Sequence, residues 1–190
     1  MAEILLLHHS LGLTPGVVAF ADQLRAAGHT VHTPDYYDGR TFDTIEAGVA
    51  YAGQLGSAEL RGRARRIVDG LGTALVYAGF SLGVELAQML AQTRPGARGM
   101  LMFDGCVRPA EFGTPWAAGV PVQIHGMQND PYFIGYELGA ARDLVASAKD
   151  AELFLYPGDR HLFADSSLPW YDAGAATLLT ERVLGFLGQR

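Results

Sequence analysis

A serine flanked by two glycines is the clearest chemical signal in the chain. Gly79, Ser81 and Gly83 form the pattern Gly-x-Ser-x-Gly, with the apolar run 73–78 before it and a helix-like stretch, 82–93, after it. This arrangement is typical of a nucleophile held on a tight turn between a strand and a helix. Glycines are needed there because strand and helix approach closely. The sequence predicts that Ser81 is a nucleophile, with a purely structural turn as the alternative.

A serine hydroxyl is a poor nucleophile at neutral pH, so it needs a base. His161 lies in the loop after the last predicted strand, and Asp130 follows the strand before it. Histidine can accept the serine proton and return it to the leaving group, while a carboxylate behind it fixes the tautomer. The order Ser81, Asp130, His161 therefore predicts a catalytic triad. For the acid, Asp104 and then Asp159 are the alternatives, and Asp130 could instead be only a helix N-cap.

Hydrogen-bond donors are needed wherever an oxyanion forms on the substrate. We expect one donor to be the backbone N–H of Leu82, at the start of the helix after the serine, and the other to come from the loop 8–12. His8 and His9 in that loop are residue types that bind metals. No partner cluster at ligand spacing is evident in the sequence, so we expect no metal site.

The rest of the chain alternates short apolar runs with helical patterns. This alternation predicts a single α/β domain, residues 1–190, with a six-stranded parallel sheet and helices on both faces. The expected strand order is 2-1-3-4-5-6, with the site at the C-terminal edge of the strands. The predicted strands are 4–8, 30–33, 73–78, 99–103, 120–125 and 152–156, and the predicted helices are 14–28, 42–55, 58–71, 82–93, 134–149 and 172–187.

Composition excludes several classes of protein. The 190 residues carry a net charge of −6 and 49% hydrophobic residues, so a sizeable core can form and nucleic-acid binding is not expected. The single cysteine, Cys106, excludes an internal disulfide framework. We find neither a signal peptide nor an apolar run of the roughly 18 residues that a membrane span needs. The expected location is cytoplasmic, without membrane partners.

Five stretches of the chain together resemble the dienelactone hydrolase family of the α/β-hydrolase superfamily. The resemblance covers nearly all of residues 4–187. It implies hydrolysis of an ester or lactone through an acyl-enzyme, without a cofactor, and it places the second oxyanion donor at the backbone of Ser10. The matching stretches are His8-His9-Ser10-Leu11-Gly12-Leu13, Pro34-Asp35-Tyr36-Tyr37-Asp38-Gly39, Gly79-Phe80-Ser81-Leu82-Gly83, Gly126-Met127-Gln128-Asn129-Asp130 and Tyr156-Pro157-Gly158-Asp159-Arg160-His161-Leu162-Phe163.

Three positions depart from the family's pattern. The usual nucleophile of the family is cysteine, where this chain has Ser81. A glutamate commonly lies beside that thiol, and the matching position is His9. The family's arginine that binds the carboxylate of dienelactone is matched by Asp165. The triad survives these changes, but the substrate need not be dienelactone.

We therefore expect a serine hydrolase that cleaves a small carboxylic ester, thioester or lactone, as a monomer or homodimer. His9, Tyr36 and Trp116 are candidate residues of the substrate pocket, although aromatic residues in loops can equally pack onto the core. One alternative is a non-catalytic binding protein of the same fold. Another is a flavodoxin-like flavin or nucleotide binder, but no phosphate-binding glycine loop follows the first strand.

Overall fold

The structure, a computed structural model, describes residues 1–189 as strands that alternate with helices. The strands are β1 (Glu3–Leu7), β2 (Thr30–His32), β3 (Val76–Phe80), β4 (Gly99–Phe103), β5 (Val122–Met127) and β6 (Ala151–Tyr156). The helices are α1 (Pro15–Ala26), α2 (Ile45–Leu55), α3 (Ser57–Val68), α4 (Leu82–Thr93), α5 (Tyr136–Ser147) and α6 (Ala173–Leu187). A short 3-10 helix, Pro109–Phe112, lies in the loop after β4.

All six strands pair in parallel in the order β2-β1-β3-β4-β5-β6. This confirms the predicted α/β architecture and strand order. Because parallel strands end at the same edge of a sheet, the loops after β1, β3, β4, β5 and β6 meet there. Those loops carry the residues that the sequence singles out for chemistry.

The core forms two apolar layers, one on each face of the sheet. In β1, Leu5 and Leu7 belong to one layer, while Ile4 and Leu6 belong to the other. Alternate strand residues point to opposite faces, so a strand covered on both sides must be apolar throughout. The first layer includes residues of α2 to α5, and the second includes residues of α1 and α6. The sheet is therefore a fixed platform for the loops at its edge.

Several element boundaries differ from the sequence prediction by a few residues, and two of the differences have a clear local reason. Helix α2 begins at Ile45 rather than residue 42, because the Thr44 side chain accepts a hydrogen bond from the Ala47 amide and caps the helix. Strand β3 begins at Val76 rather than residue 73, where its pairing with Ile4 begins. Among residues 1–189, no helix is both long and apolar enough to cross a membrane.

Candidate active site

Ser81 lies on a strained turn between β3 and α4. Its φ of 46° and ψ of −112° define a backbone conformation that residues other than glycine rarely adopt. The turn is held from both sides: a Cβ on Gly79 would overlap the backbone of Gly83, and a Cβ on Gly83 would overlap the carbonyl groups of Leu7 and His8. Both glycines are thus required by close packing, which supports the tight turn that the motif predicts.

His161 connects Ser81 to Asp130 through its two ring nitrogens. Nε2 lies 2.8 Å from Ser81 Oγ, and Nδ1 lies 2.6 Å from Asp130 Oδ2. A carboxylate can only accept, so Nδ1 carries the proton and Nε2 is free to accept from the serine hydroxyl. The structure therefore brings together the three side chains predicted to form the triad, 80 residues apart at the widest step.

The neighbouring loops hold this chain of hydrogen bonds in place. Asp130 is fully buried, and its Oδ1 accepts from the Tyr132 amide at 2.9 Å. The Tyr132 ring lies 4.8 Å from the His161 ring, and its hydroxyl donates to Glu46 on α2. Leu162, with φ of 59°, turns the chain sharply after the histidine. Asp130 and His161 are thus fixed by their own loops before any ligand binds.

Asp104, the alternative acid, lies close by but makes different contacts. It is fully buried, and neither of its carboxyl oxygens has a hydrogen-bond partner of regular geometry among residues 1–189. Burial, and then the charges of Asp130 and Glu137, raise its pKa well above the ordinary value, while the Leu162 amide offsets this only in part. Its surroundings therefore favour the protonated, neutral form of Asp104, unlike those of a carboxylate that would orient a histidine.

Asp104, Asp130 and His161 each offer one ligand atom within 4.8 Å of the others, a spacing compatible with a metal ion. Two of those side chains, however, already hydrogen-bond to each other, and the histidine's second nitrogen faces Ser81. A metal at this point would have to displace the bond between Asp130 and His161. The donor set therefore fits a hydrogen-bonded triad better than a metal centre.

The two predicted oxyanion donors, Ser10 and Leu82, line one small cavity with Ser81 and His161. Leu82 is the first residue of α4, so its amide has no partner within the helix. The loop that carries Ser10 is folded into a turn in which the Gly12 amide donates to the His9 carbonyl at 3.1 Å. Both backbone groups are thus at the edge of the sheet beside the serine.

Two of the three positions that depart from the family's pattern, His9 and Asp165, contact each other in the structure. His9 Nε2 lies 2.8 Å from Asp165 Oδ2, and both side chains are fully buried. The same carboxylate accepts from Thr14 Oγ1 at 2.5 Å and from the amide and hydroxyl of Ser167 at 2.9 and 2.6 Å. His9 Nδ1 accepts from the Leu11 amide at 3.2 Å. The pair therefore links the loop after β1 to the loop that carries His161.

The charge state of this pair follows from its contacts. Burial lowers the pKa of His9, and its hydrogen bond to Asp165 offsets the effect only in part. Burial alone would raise the pKa of Asp165, but hydrogen bonds from His9, Ser167 and Thr14 outweigh it and hold that pKa below the ordinary value. The pair is thus a neutral imidazole beside a carboxylate.

The cavity beside Ser81 has a volume of about 250 Å³ and a mixed lining. Apolar surface comes from helix α2 and the loop after β4, through Ile45, Val49 and Val107. Polar groups include Glu85 and Glu137, and no lysine or arginine lines the cavity among the described residues. A larger cleft of about 1260 Å³ opens at the N-terminal edge of the strands, the edge opposite the one that carries these groups.

The three residues predicted for the pocket, His9, Tyr36 and Trp116, are not among those that line this cavity. Tyr36 is buried, with its ring stacked on His8 at 3.7 Å and its hydroxyl donating to the His8 carbonyl. The Nε1 of Trp116 donates to the Val120 carbonyl within its own loop. His9 is occupied by Asp165. Aromatic packing, the alternative weighed for Tyr36 and Trp116, is what the structure contains.

Sequence reasoning missed the residues that do line the cavity. Ile45 and Val49 lie on a helix whose position over the site no local pattern reveals. Glu137 looks like an ordinary acidic residue in the first turn of α5. No local pattern in the sequence marks Glu137 as a residue of the cavity.

Comparison with known proteins gives a consistent relationship. The chain matches the model of the dienelactone hydrolase family over residues 2–190. None of the curated protein sequences compared with the chain matches it. Among solved structures, a dienelactone hydrolase-like promiscuous phosphotriesterase from metagenomic libraries superposes with a TM-score of 0.81 at 20% identity, covering 100% of this chain and 86% of that one.

Two further structures share the fold at similar distance. Dienelactone hydrolase from Anabaena variabilis superposes with a TM-score of 0.69 at 17% identity, covering 100% of this chain and 86% of its own. An esterase, PE8, gives a TM-score of 0.68 at 18% identity, covering 99% and 92% of the two chains. At these identities the structural likeness shows the fold, and the family match shows the relationship. The chain belongs to the dienelactone hydrolase family of α/β hydrolases, a family of enzymes that act on ester bonds.

Proposed function

We propose that the protein is a serine hydrolase that cleaves small carboxylic esters, thioesters or lactones through an acyl-enzyme on Ser81. The observation that carries this proposal is the continuous chain of hydrogen bonds from Ser81 Oγ through His161 to Asp130. In this proposal His161 is the base, Asp130 orients it, and the amides of Ser10 and Leu82 stabilise the oxyanion. No step requires a cofactor or a metal.

The chemistry follows from those roles. His161 Nε2 takes the hydroxyl proton as Ser81 Oγ bonds to the substrate carbonyl carbon, and the carbonyl oxygen becomes an oxyanion. The tetrahedral intermediate collapses, the bond to the alkoxide or thiolate breaks, and the imidazolium returns the proton to that leaving group. Water then attacks the acyl-enzyme, again through His161, releasing the carboxylic acid and the free serine.

The lining of the cavity supports a small, uncharged acyl group. A volume of about 250 Å³ is below the 300 to 1,000 Å³ common for drug-sized ligands. Glu85 and Glu137 line it, and the arginine expected in the family is replaced by Asp165, which is already saturated by hydrogen bonds. An anionic substrate would be buried without a cationic partner, which is costly.

The test is covalent labelling followed by an ester series. A fluorophosphonate probe should add to Ser81, as located by mass spectrometry, and p-nitrophenyl esters of increasing acyl length should be hydrolysed with a short-chain optimum. Ser81→Ala and His161→Ala should each lose nearly all activity, because the parts of such a unit act together. Ser147→Ala, at an exposed serine on α5, is the matched control and should label normally.

A non-catalytic binding protein of the same fold is the competing proposal. It predicts that the probe leaves Ser81 unmodified and that no ester of the series is hydrolysed above the Ser81→Ala background. The strained backbone at Ser81 favours catalysis, because such strain persists only where the surrounding structure imposes it and is common at active sites.

A further inference from the structure

Glu137 contributes a carboxyl group to the cavity that holds Ser81 and His161, and the proposed mechanism does not use it. It lies in the first turn of α5, directly after the loop that carries Asp130. Its Oε2 is buried and has no hydrogen-bond partner among residues 1–189. Buried polar atoms in native proteins are nearly always paired, so an unpaired one beside a reactive serine points to a ligand.

The backbone around Glu137 explains how it reaches the cavity. Gly135, with φ of 91°, ends the Asp130 loop and starts α5 without a capping side chain. The Phe133 side chain is buried, and the Leu138 amide donates to the Phe133 carbonyl at 2.8 Å. The first turn of the helix is therefore anchored to the loop that positions Asp130. Glu137 therefore lies where the helix meets the cavity, with its Oε2 buried.

The groups around Glu137 decide its protonation. Burial, opposed by a hydrogen bond from the Cys106 amide and reinforced by the negative charge of Asp130, raises the pKa of Glu137 to about 8. Ionisation of Glu137 would also oppose that of the nearby Asp104, and Glu85 faces the same cavity from α4. At neutral pH the carboxyl is thus a neutral acid with one O–H to donate.

The cationic side chains and the histidine near Glu137 already interact with other groups. Arg108, in the loop after β4, pairs with Asp143 at 3.2 Å and lies over the Tyr136 ring. Arg61 pairs with Glu85 at 2.7 Å. His161 is bonded to Ser81 and Asp130. None of these three groups is therefore free to stabilise the ionised form of Glu137.

We propose that Glu137 is a specificity-determining residue that donates a hydrogen bond to a neutral oxygen atom of the substrate's acyl portion. The substrate class would be esters or lactones whose acyl group carries an ether, hydroxyl or keto oxygen, in preference to plain hydrocarbon acyl esters. This inference rests on the proposed function, since it assumes that the acyl group occupies the cavity beside Ser81.

The experiment compares matched esters that differ only by an oxygen in place of a methylene. One pair is p-nitrophenyl methoxyacetate with p-nitrophenyl butanoate, and the other is p-nitrophenyl 3-methoxypropanoate with p-nitrophenyl pentanoate. For each pair we define the preference as kcat/KM of the ester with the oxygen divided by kcat/KM of the hydrocarbon ester. This ratio is measured in the wild type, Glu137→Gln and Glu137→Leu. Intrinsic reactivity of the esters cancels when the ratio is compared between proteins.

At pH 7 the ratio for at least one pair should be about 3- to 10-fold larger in the wild type than in Glu137→Leu, the effect of one hydrogen bond. Glu137→Gln keeps an N–H donor and should retain most of the preference. Above pH 8 the wild-type preference should decline as the acid ionises, whereas the preference of Glu137→Gln should stay constant. Spontaneous hydrolysis is subtracted at each pH.

Two results would overturn the inference. One is an identical ratio in wild type and Glu137→Leu for both pairs, while all proteins hydrolyse the plain esters in a Ser81-dependent way. The other is a wild-type preference that grows above pH 8. Labelling of Ser81 by the fluorophosphonate probe in each variant confirms that the site is folded. If no ester is hydrolysed and no probe is bound, the proposed function has failed instead.

Discussion

Replacing Asp165 should destabilise the protein more than replacing an exposed loop acid, because its carboxylate is fully buried and accepts four hydrogen bonds. The donors are His9, Thr14 and both the amide and hydroxyl of Ser167. Asparagine has the same shape but presents an NH₂ group where one oxygen accepts. In either orientation of the amide, its NH₂ group then faces donors that the carboxylate oxygen accepted from, and the site is buried.

The magnitude follows from the number of bonds affected. Hydrogen bonds to a charged group contribute about 1.5 to 3 kcal/mol each, and leaving a buried donor unpaired costs about 1 to 3 kcal/mol. Asp165→Asn keeps one accepting oxygen, so we expect a loss of about 2 to 4 kcal/mol in the free energy of unfolding. Asp165→Ala removes every acceptor and should cost at least about 3 to 5 kcal/mol, as for other broken buried networks.

A second perturbation reaches the same network without changing any of its polar groups. A Cβ on Gly16 would overlap Asp165 Oδ1. Gly16→Ala should therefore destabilise, although alanine has the higher helix propensity by about 1 kcal/mol. Gly53→Ala in α2 is the matched control, because no atom lies within 4 Å of its added methyl group, and it should be neutral or stabilising.

The assay is urea unfolding at pH 7.5, repeated at lower pH, together with kcat/KM for a neutral ester. Because folding lowers the pKa of both Asp165 and His9, the unfolded chain binds more protons on acidification. The stability that these groups contribute should be present at neutral pH and decline as the pH falls below about 6.5, the ordinary value for histidine, and further below about 4. Wild-type stability in Asp165→Asn, or a Gly16→Ala variant as stable as Gly53→Ala, would refute the reasoning.

The remaining predictions concern the acids around the site. Asp104→Asn should stay within about 3-fold of wild-type kcat/KM, because asparagine resembles a neutral carboxyl, whereas Asp130→Asn should lose about 10²- to 10⁴-fold; a reversed order would make Asp104 the acid. Folding raises the pKa of Glu137, so urea unfolding should show Glu137→Gln gaining stability relative to wild type as pH rises from about 4.5 to 8, and a constant difference would contradict this. A neutral ester should be hydrolysed with higher kcat/KM than its analogue with a free carboxylate; an opposite preference would require a basic residue in the cavity beside Glu85.

The features that the sequence predicts well depend on local signals. The Gly-x-Ser-x-Gly motif records a close approach of backbones, and the structure contains that approach at Gly79 and Gly83. Helix α4 has the predicted bounds because a strong stop signal follows it. Strand β4 has the predicted bounds because it is a continuous apolar run. Right-handed crossovers put helices on both faces of the sheet once the alternation of strands and helices is recognised, and the observed strand order is one that is common for doubly wound sheets. Loops that end neighbouring parallel strands must then meet.

The pocket could not be predicted in the same way, because it is made by side chains from distant segments. His9 and Asp165 are 156 residues apart, and each looks like an isolated departure from the family until the structure pairs them. Tyr36 carries an aromatic ring suited to a pocket, but stacking on His8 places it in the core. Which face a loop side chain takes depends on packing that no periodicity records.

Two pairs of histidine and aspartate are buried among residues 1–189, and their hydrogen bonds explain why we propose only one of the two histidines as a base. In the first, the aspartate holds Nδ1 of His161, so Nε2 is left to accept the proton of Ser81. In the second, Asp165 holds Nε2 of His9, and Nδ1 already accepts from the Leu11 amide. His9 therefore has no free nitrogen, and its burial keeps it neutral. Because its partner lies four residues after His161 on the same loop, the second pair joins the loop after β1 to the loop of the proposed base, and it has no free nitrogen to accept the serine proton.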